Sequence, residues 1–178
     1  MSGKKRSEYL SLRRAYEPKV IRLVIVAESP PASGRYFYNP SGASTEPLFA
    51  AMMRQLHFSP STKKEGLCEF QRQGWVLVDA TYQPVNRLDG AERNRNRVIE
   101  RDYQLLRDDL AALIRDKSTP LVLIKANVCR LLEPKLTGDG FKVLNDGRVV
   151  YFPATGQQTA FHRQFSGILE SARISRVT

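Results

Sequence analysis

The chain has 178 residues, with 28 Lys and Arg against 18 Asp and Glu, a formal net charge of +10. At ~100–200 residues per domain this is one domain, long enough to bury a core without disulfide or metal staples. Two cysteines, Cys68 and Cys129, exclude a disulfide framework or a four-cysteine metal site, and no apolar run reaches the ~20 residues of a membrane helix.

Residues 1–22 hold seven basic and two acidic side chains, and residues 147–178 hold four and one. A surplus of this kind favours polyanions through counterion release, with nucleic acid as the first candidate. Residues 1–20 are predicted as a basic N-terminal arm, and residues 21–178 as a single α/β domain. Lys4, Lys5 and Arg6 lead into polar Ser7 and Glu8, not into an apolar stretch, so a cytoplasmic, reducing location is expected.

Residues 21–27 are a near-continuous β-branched run, the pattern of a strand buried on both faces. Glu28-Ser29-Pro30-Pro31 ends it, because proline continues neither strand nor helix. A polar and aromatic loop follows, holding Gly34, Pro40 and Gly42. Ser44-Thr45-Glu46-Pro47 reads as a helix start, with Leu48, Phe49, Met52, Met53 and Leu56 on one face. Residues 75–80 form a second buried strand that stops before Tyr82-Gln83-Pro84. The spacing of Val98, Tyr103, Leu105, Leu106, Leu110, Leu113 and Ile114 predicts one helix over residues 93–117. Residues 120–125 are a third strand, residues 127–132 a short helix and residues 140–143 an edge strand. A last strand is predicted over residues 148–153, and Gly156 opens a helix to about residue 172.

Buried strands alternating with helices predict a three-layer α/β/α fold around a central, mostly parallel four-stranded sheet. Ligands of such sheets bind beyond the carboxyl ends of the strands. The loops to inspect are therefore those at residues 28–44, 79–86, 125–127 and 154–159.

Ala27-Glu28-Ser29-Pro30-Pro31, followed by Gly34-Arg35-Tyr36-Phe37, resembles the Gly-Glu-Ala-Pro-Gly … Gly-x-Pro-Phe pattern of the uracil-DNA glycosylase superfamily. Val78-Asp79-Ala80-Thr81, Leu123-Ile124-Lys125-Ala126 with Leu131-Leu132, and Phe152-Pro153 are similar to its later segments, in order. The resemblance spans about residues 21–170 and implies release of uracil, or of another deaminated base such as xanthine or hypoxanthine, from DNA. It implies a catalytic Glu28, an Asp79 where the family has a base-reading Asn, and a Phe37 that stacks on the extruded base. Ala27, Ser29, Pro30 and Tyr36 would shape the same substrate loop. The chain departs from the family in lacking cluster cysteines and a histidine in the final loop, so no iron–sulfur cluster or other cofactor is expected.

The residues support this chemistry directly. Breaking an N-glycosidic bond develops positive charge on the sugar and negative charge on the departing base. The site needs a carboxylate or dipoles near the sugar, donors near the base and an aromatic wall. Glu28 supplies an acid at a strand end, as a water-handling group or as the cap of its own turn. Asp79 ends a strand too apolar to hold a charge freely, and either reads the base edge or handles the water. Thr155, Gly156, Gln157 and Gln158 open a helix whose free N–H groups suit a phosphate or a leaving anion. Arg93 and Arg95 are candidate phosphate contacts. Lys125 is the residue that keeps Schiff-base chemistry open. His57 and His162 lack metal-ligand partners in the sequence. The expected partner is DNA, bound by a monomer with no membrane contact. A non-catalytic nucleic-acid-binding module and a nucleoside N-glycosidase are the competing readings.

Overall fold

The computed structural model describes residues 4–87 and 91–177. Its centre is a four-stranded, all-parallel sheet of β1 (Leu23–Ala27), β2 (Trp75–Asp79), β3 (Pro120–Leu123) and β4 (Lys142–Val143), in the order β2-β1-β3-β4. The α/β/α architecture read from the sequence is the one observed. Strand alternation divides the core in two. Leu23, Ile25, Ala27, Trp75, Leu77 and Val122 face one layer, built from α1 (Arg6–Arg14), α2 (Pro47–Gln55), α3 (Lys63–Arg72) and α7 (Gln158–Ser171). Val24, Val26, Val76, Val78, Leu121 and Leu123 face the other, built from α4 (Glu92–Arg101), α5 (Tyr103–Leu113) and α6 (Ala126–Gly138).

The basic N-terminal segment is not a detached arm. Its α1 buries Tyr9, Leu10 and Arg13. Arg13 makes a bidentate ion pair with Asp109 of α5, at 2.7 and 2.6 Å, and also donates to the Tyr82 hydroxyl at 2.8 Å. A buried guanidinium needs such partners, and they tie the segment across the domain.

The single helix expected over residues 93–117 divides at Asp102, which caps the end of α4 and the start of α5. The Thr81 hydroxyl donates to Asp102 Oδ2 at 2.6 Å and holds the bend. In the other direction, α6 runs to Gly138, well past the predicted residue 132, with Pro134 inside it. The α3 helix fills a stretch for which no element is predicted. Its buried stripe is Lys63, Gly66, Leu67 and Phe70, the right spacing for a helix but half of it lysine and glycine.

The strand expected over residues 148–153 does not form. Beyond Leu121 the free edge of β3 is already satisfied by a side chain. Leu123 N–H donates to Asn145 Oδ1 at 2.8 Å, and Asn145 Nδ2 donates back to the Leu123 carbonyl at 3.0 Å. The chain loops out through Asp146 and Gly147, both at positive φ, and returns only for Lys125 N–H to donate to the Val150 carbonyl at 2.8 Å.

Candidate functional site

In the order β2-β1-β3-β4 the chain leaves β1 in one direction and β3 in the other, so the crevice between their carboxyl ends is the topological switch point. Glu28 follows β1 and Lys125 follows β3, and the two side chains meet there as an ion pair. Glu28 alternates onto the α4 and α6 side and is only 6 % exposed. Its Oε1 accepts from Asn127 Nδ2 at 2.8 Å, and Arg95 Nε lies 3.2 Å away, close enough to pair but out of line for a hydrogen bond. Every group the carboxylate meets is a cation or an amide donor, the arrangement a buried charge requires.

Asn127 completes the cluster. Its amide nitrogen is shared between Glu28 Oε1 and Asn96 Oδ1, the latter at 3.0 Å. Two acceptors on that side fix the amide orientation and leave Asn127 Oδ1 buried with no donor among the described residues. An orphaned buried acceptor costs ~1–3 kcal/mol, so this oxygen is a standing request for an N–H or O–H from an incoming molecule. Lys125 adopts φ 81°, in the left-handed region that non-glycine side chains avoid. The strain is local to the crevice, at the residue that caps α6 and reaches Glu28.

Asp79 lies at the end of the neighbouring strand and is paired in register with Ala27. It turns to the opposite face, towards Tyr9, Tyr36 and Tyr82. It is 4 % exposed, and its Oδ2 has no partner among the described residues. Burial pushes its carboxyl up to about 8, with Arg13 opposing that rise and the Asp109 and Glu28 carboxylates adding to it. At neutral pH Asp79 is therefore mostly the acid, able to donate as well as accept. Among the described residues the Tyr36 hydroxyl nearby is also without a partner. Asp79, Thr81, Gln83, Leu105 and the basic Lys4 and Arg6 line a cavity of about 280 Å³ outside the end of β2.

The remaining predicted residues are placed less favourably. Phe37 is in the core, edge-on to Phe70 and Tyr38 with ring centroids 5.1 Å away in each case. A ring enclosed in this way has no free face, so Phe37 supports the loop and is not the base stacker that the resemblance implies. Lys63 explains why the loop folds inward: its buried ammonium donates to the Tyr36 carbonyl at 2.8 Å and to Glu46 at 2.6 Å. A Cβ on Gly42 would stand 2.4 Å from Glu46 Oε1, so a larger residue there would have to push the Glu46 and Lys63 side chains aside. Ala27 and Pro30 are buried, and the half-buried Ser29 accepts from Val85 N–H.

Thr155, Gly156, Gln157 and Gln158 lie exposed on the turn that enters α7, and none makes a side-chain hydrogen bond among the described residues. Arg93 is exposed on α4, whereas Arg95 is committed to Glu28. His162 Nδ1 meets the Gln55 amide at 2.9 Å, and burial lowers its basicity. Among the described residues no group of three or more His, Cys, Asp or Glu is arranged to hold a metal, and no helix is long and apolar enough to cross a membrane.

No family model, curated protein or solved structure matches the chain. The functional reading therefore rests on the site.

Sequence reasoning missed Asn96 and Asn127 and weighed Lys125 only as a Schiff-base former. A signal was present for two of these, since Lys125 and Asn127 stand where an apolar strand stops, in one of the loops marked for inspection. Nothing in the sequence indicates that Asn96, inside the polar, arginine-rich start of α4, would meet them.

Proposed function

We propose that the protein is a monofunctional DNA glycosylase of the kind its motifs resemble, hydrolysing the N-glycosidic bond of uracil or a related deaminated base. The observation that carries this reading is the fixed Glu28 carboxylate at the switch point, beside the donor-hungry Asn127 Oδ1. Water donates one O–H to that oxygen and presents its lone pair to the anomeric carbon of the sugar. As the bond to the base breaks, positive charge grows on the sugar and is stabilised by Glu28, held in place by Lys125 and Asn127. The bonding pair leaves with the base, which takes up a proton from solvent or from a donor at the site. Attack places the water oxygen on the sugar, the water gives up its second proton to solvent as the base takes one, and an abasic site remains. A neutral Asp79 offers both a donor and an acceptor to the extruded base, which an ionised aspartate does not.

The decisive experiment is single-turnover release from oligonucleotides carrying uracil, hypoxanthine or xanthine, scored by chemical cleavage of abasic sites. The wild type should release at least one of these bases. Glu28→Gln should lower that rate by ~10²-fold or more, with binding of the oligonucleotide retained. A second reading has its own support. Both Glu28 oxygens are already occupied by donors, as in a structural clamp, and on that reading the crevice binds nucleic acid without catalysis. Binding with no base release in any substrate would establish it.

A further inference from the structure

The molecule carries five exposed large hydrophobic side chains among the described residues, and two of them are consecutive aromatics, Tyr151 at 41 % and Phe152 at 37 %. They follow Val150, whose carbonyl accepts from the backbone N–H of Lys125, so the pair starts one residue beyond the end of β3, where the Lys125 side chain pairs with Glu28 across the crevice. Among the described residues neither ring joins an aromatic pair, whereas Tyr36, Phe37, Tyr38, Phe70 and Trp75 are all packed against other rings.

The backbone beneath them is fastened. Tyr151 N–H donates to Gln164 Oε1 of α7 at 2.9 Å, Ala154 N–H to the Phe152 carbonyl at 2.8 Å, and Gln157 N–H to the Ala154 carbonyl at 2.9 Å. Pro153 is buried and anchors the segment between them. Two partly exposed aromatic side chains thus stand on a pinned loop, so a ligand need not order the loop on binding.

We propose that Tyr151 and Phe152 form a stacking platform for an unpaired nucleobase, so that the protein takes single-stranded nucleic acid, or a strand opened at the lesion, across the mouth of the crevice. Stacking on aromatic rings tolerates any base because every base has a π-face. Charge favours this occupant over an apolar peptide. Arg93 and Arg97 are exposed on α4, Lys125 is part-exposed at the crevice, and the chain carries +10 overall. The platform replaces Phe37 in the role that the core withholds from it. The proposal deepens the glycosylase reading in naming the strand form of the substrate, yet its binding test does not depend on catalysis.

The test is fluorescence anisotropy of a labelled single-stranded oligonucleotide against the matching duplex, with wild type, Tyr151→Ala, Phe152→Ala and Phe152→Trp. The wild type should prefer the single strand. At least one alanine variant should bind it ~5- to 150-fold more weakly, with duplex affinity little changed, and Phe152→Trp should retain binding. Circular dichroism melting of each variant establishes that the fold is intact, which the exposure of both side chains leads one to expect. Equal binding by wild type and both alanine variants overturns the platform, as does an equal loss on single strand and duplex. Base release with an idle platform sinks this proposal alone. A working platform with no release in any substrate sinks the glycosylase reading alone.

Discussion

Glu28 and Asp79 end adjacent parallel strands, one residue apart in register, and each follows a run of buried aliphatic residues. Their surroundings are opposite. Glu28 faces α4 and α6 and is met by Lys125, Arg95 and Asn127. Asp79 faces the tyrosine layer, has one oxygen without a partner among the described residues, and holds its proton to about pH 8. One carboxyl is ringed by cations and an amide donor, and the other is held as an acid by burial. The pleat alone divides them, because a single-residue offset sends the two side chains to opposite faces of the sheet. Two chemically similar side chains in such different settings are suited to separate roles.

The largest expected effect comes from breaking the electrostatics on the Asp79 side. Arg13 is the cation that restrains the rise of Asp79, and it is bonded in bidentate fashion to buried Asp109. Arg13→Met leaves Asp109 buried without its partner and should cost ~3–5 kcal/mol in urea unfolding. The same variant should raise the titration midpoint of Asp79, followed by carboxyl-carbon NMR. An unchanged midpoint would separate the two groups and remove Arg13 from the account of Asp79.

A smaller effect sharpens the contrast through pH. The folded-state pKa of Asp79 lies above its ordinary value of 3.8, so the folded protein binds this proton more tightly than the unfolded chain does. The contribution of Asp79 to stability is greatest below pH 4, declines as pH rises from about 4 to 8, and is level above that. Asp79→Asn cannot ionise and removes this decline. Its stability relative to wild type should therefore improve by ~2 kcal/mol or more between pH 4 and pH 8, measured by denaturant titration at both pH values. Parallel pH profiles for the two proteins would show that Asp79 ionises as readily folded as unfolded.

The smallest effect tests the backbone on the Glu28 side. Lys125→Ala and Lys125→Gly both remove the ammonium, but only glycine relieves φ 81°. Lys125→Gly should be more stable than Lys125→Ala by ~1 kcal/mol, and equal stabilities would mean that no strain is held there.

The sheet was legible because its strands are apolar on both faces, which leaves little else for residues 21–27, 75–80 and 120–123 to do. Glu28 was legible for the same reason, as a charge at the point where such a run stops. Its partners were less so, since Arg95 and Asn127 reach it, with Asn96 behind Asn127, from helices whose orientation depends on packing, not on local pattern. Phe37 was misplaced because a Gly- and Pro-rich loop suggests exposure, whereas buried Lys63 draws the Tyr36 carbonyl inward and the neighbouring ring follows. Residues 148–153 have the composition of a strand but no free ladder to join, and composition does not register whether an edge has been taken.

That taken edge has a further consequence. A parallel sheet ending in a two-residue strand exposes the rest of its outer strand to any extended chain that passes, which is how such proteins recruit one another into aggregates. Asn145, wholly buried, fills the gap with one amide that imitates a strand residue, accepting from the Leu123 N–H and donating to its carbonyl. It also donates to the Arg148 carbonyl at 3.1 Å, so the imitation is anchored to the protein's own chain. A single side chain thus serves as a hem on the sheet, closing to foreign strands the border where the crevice and its loops must remain open.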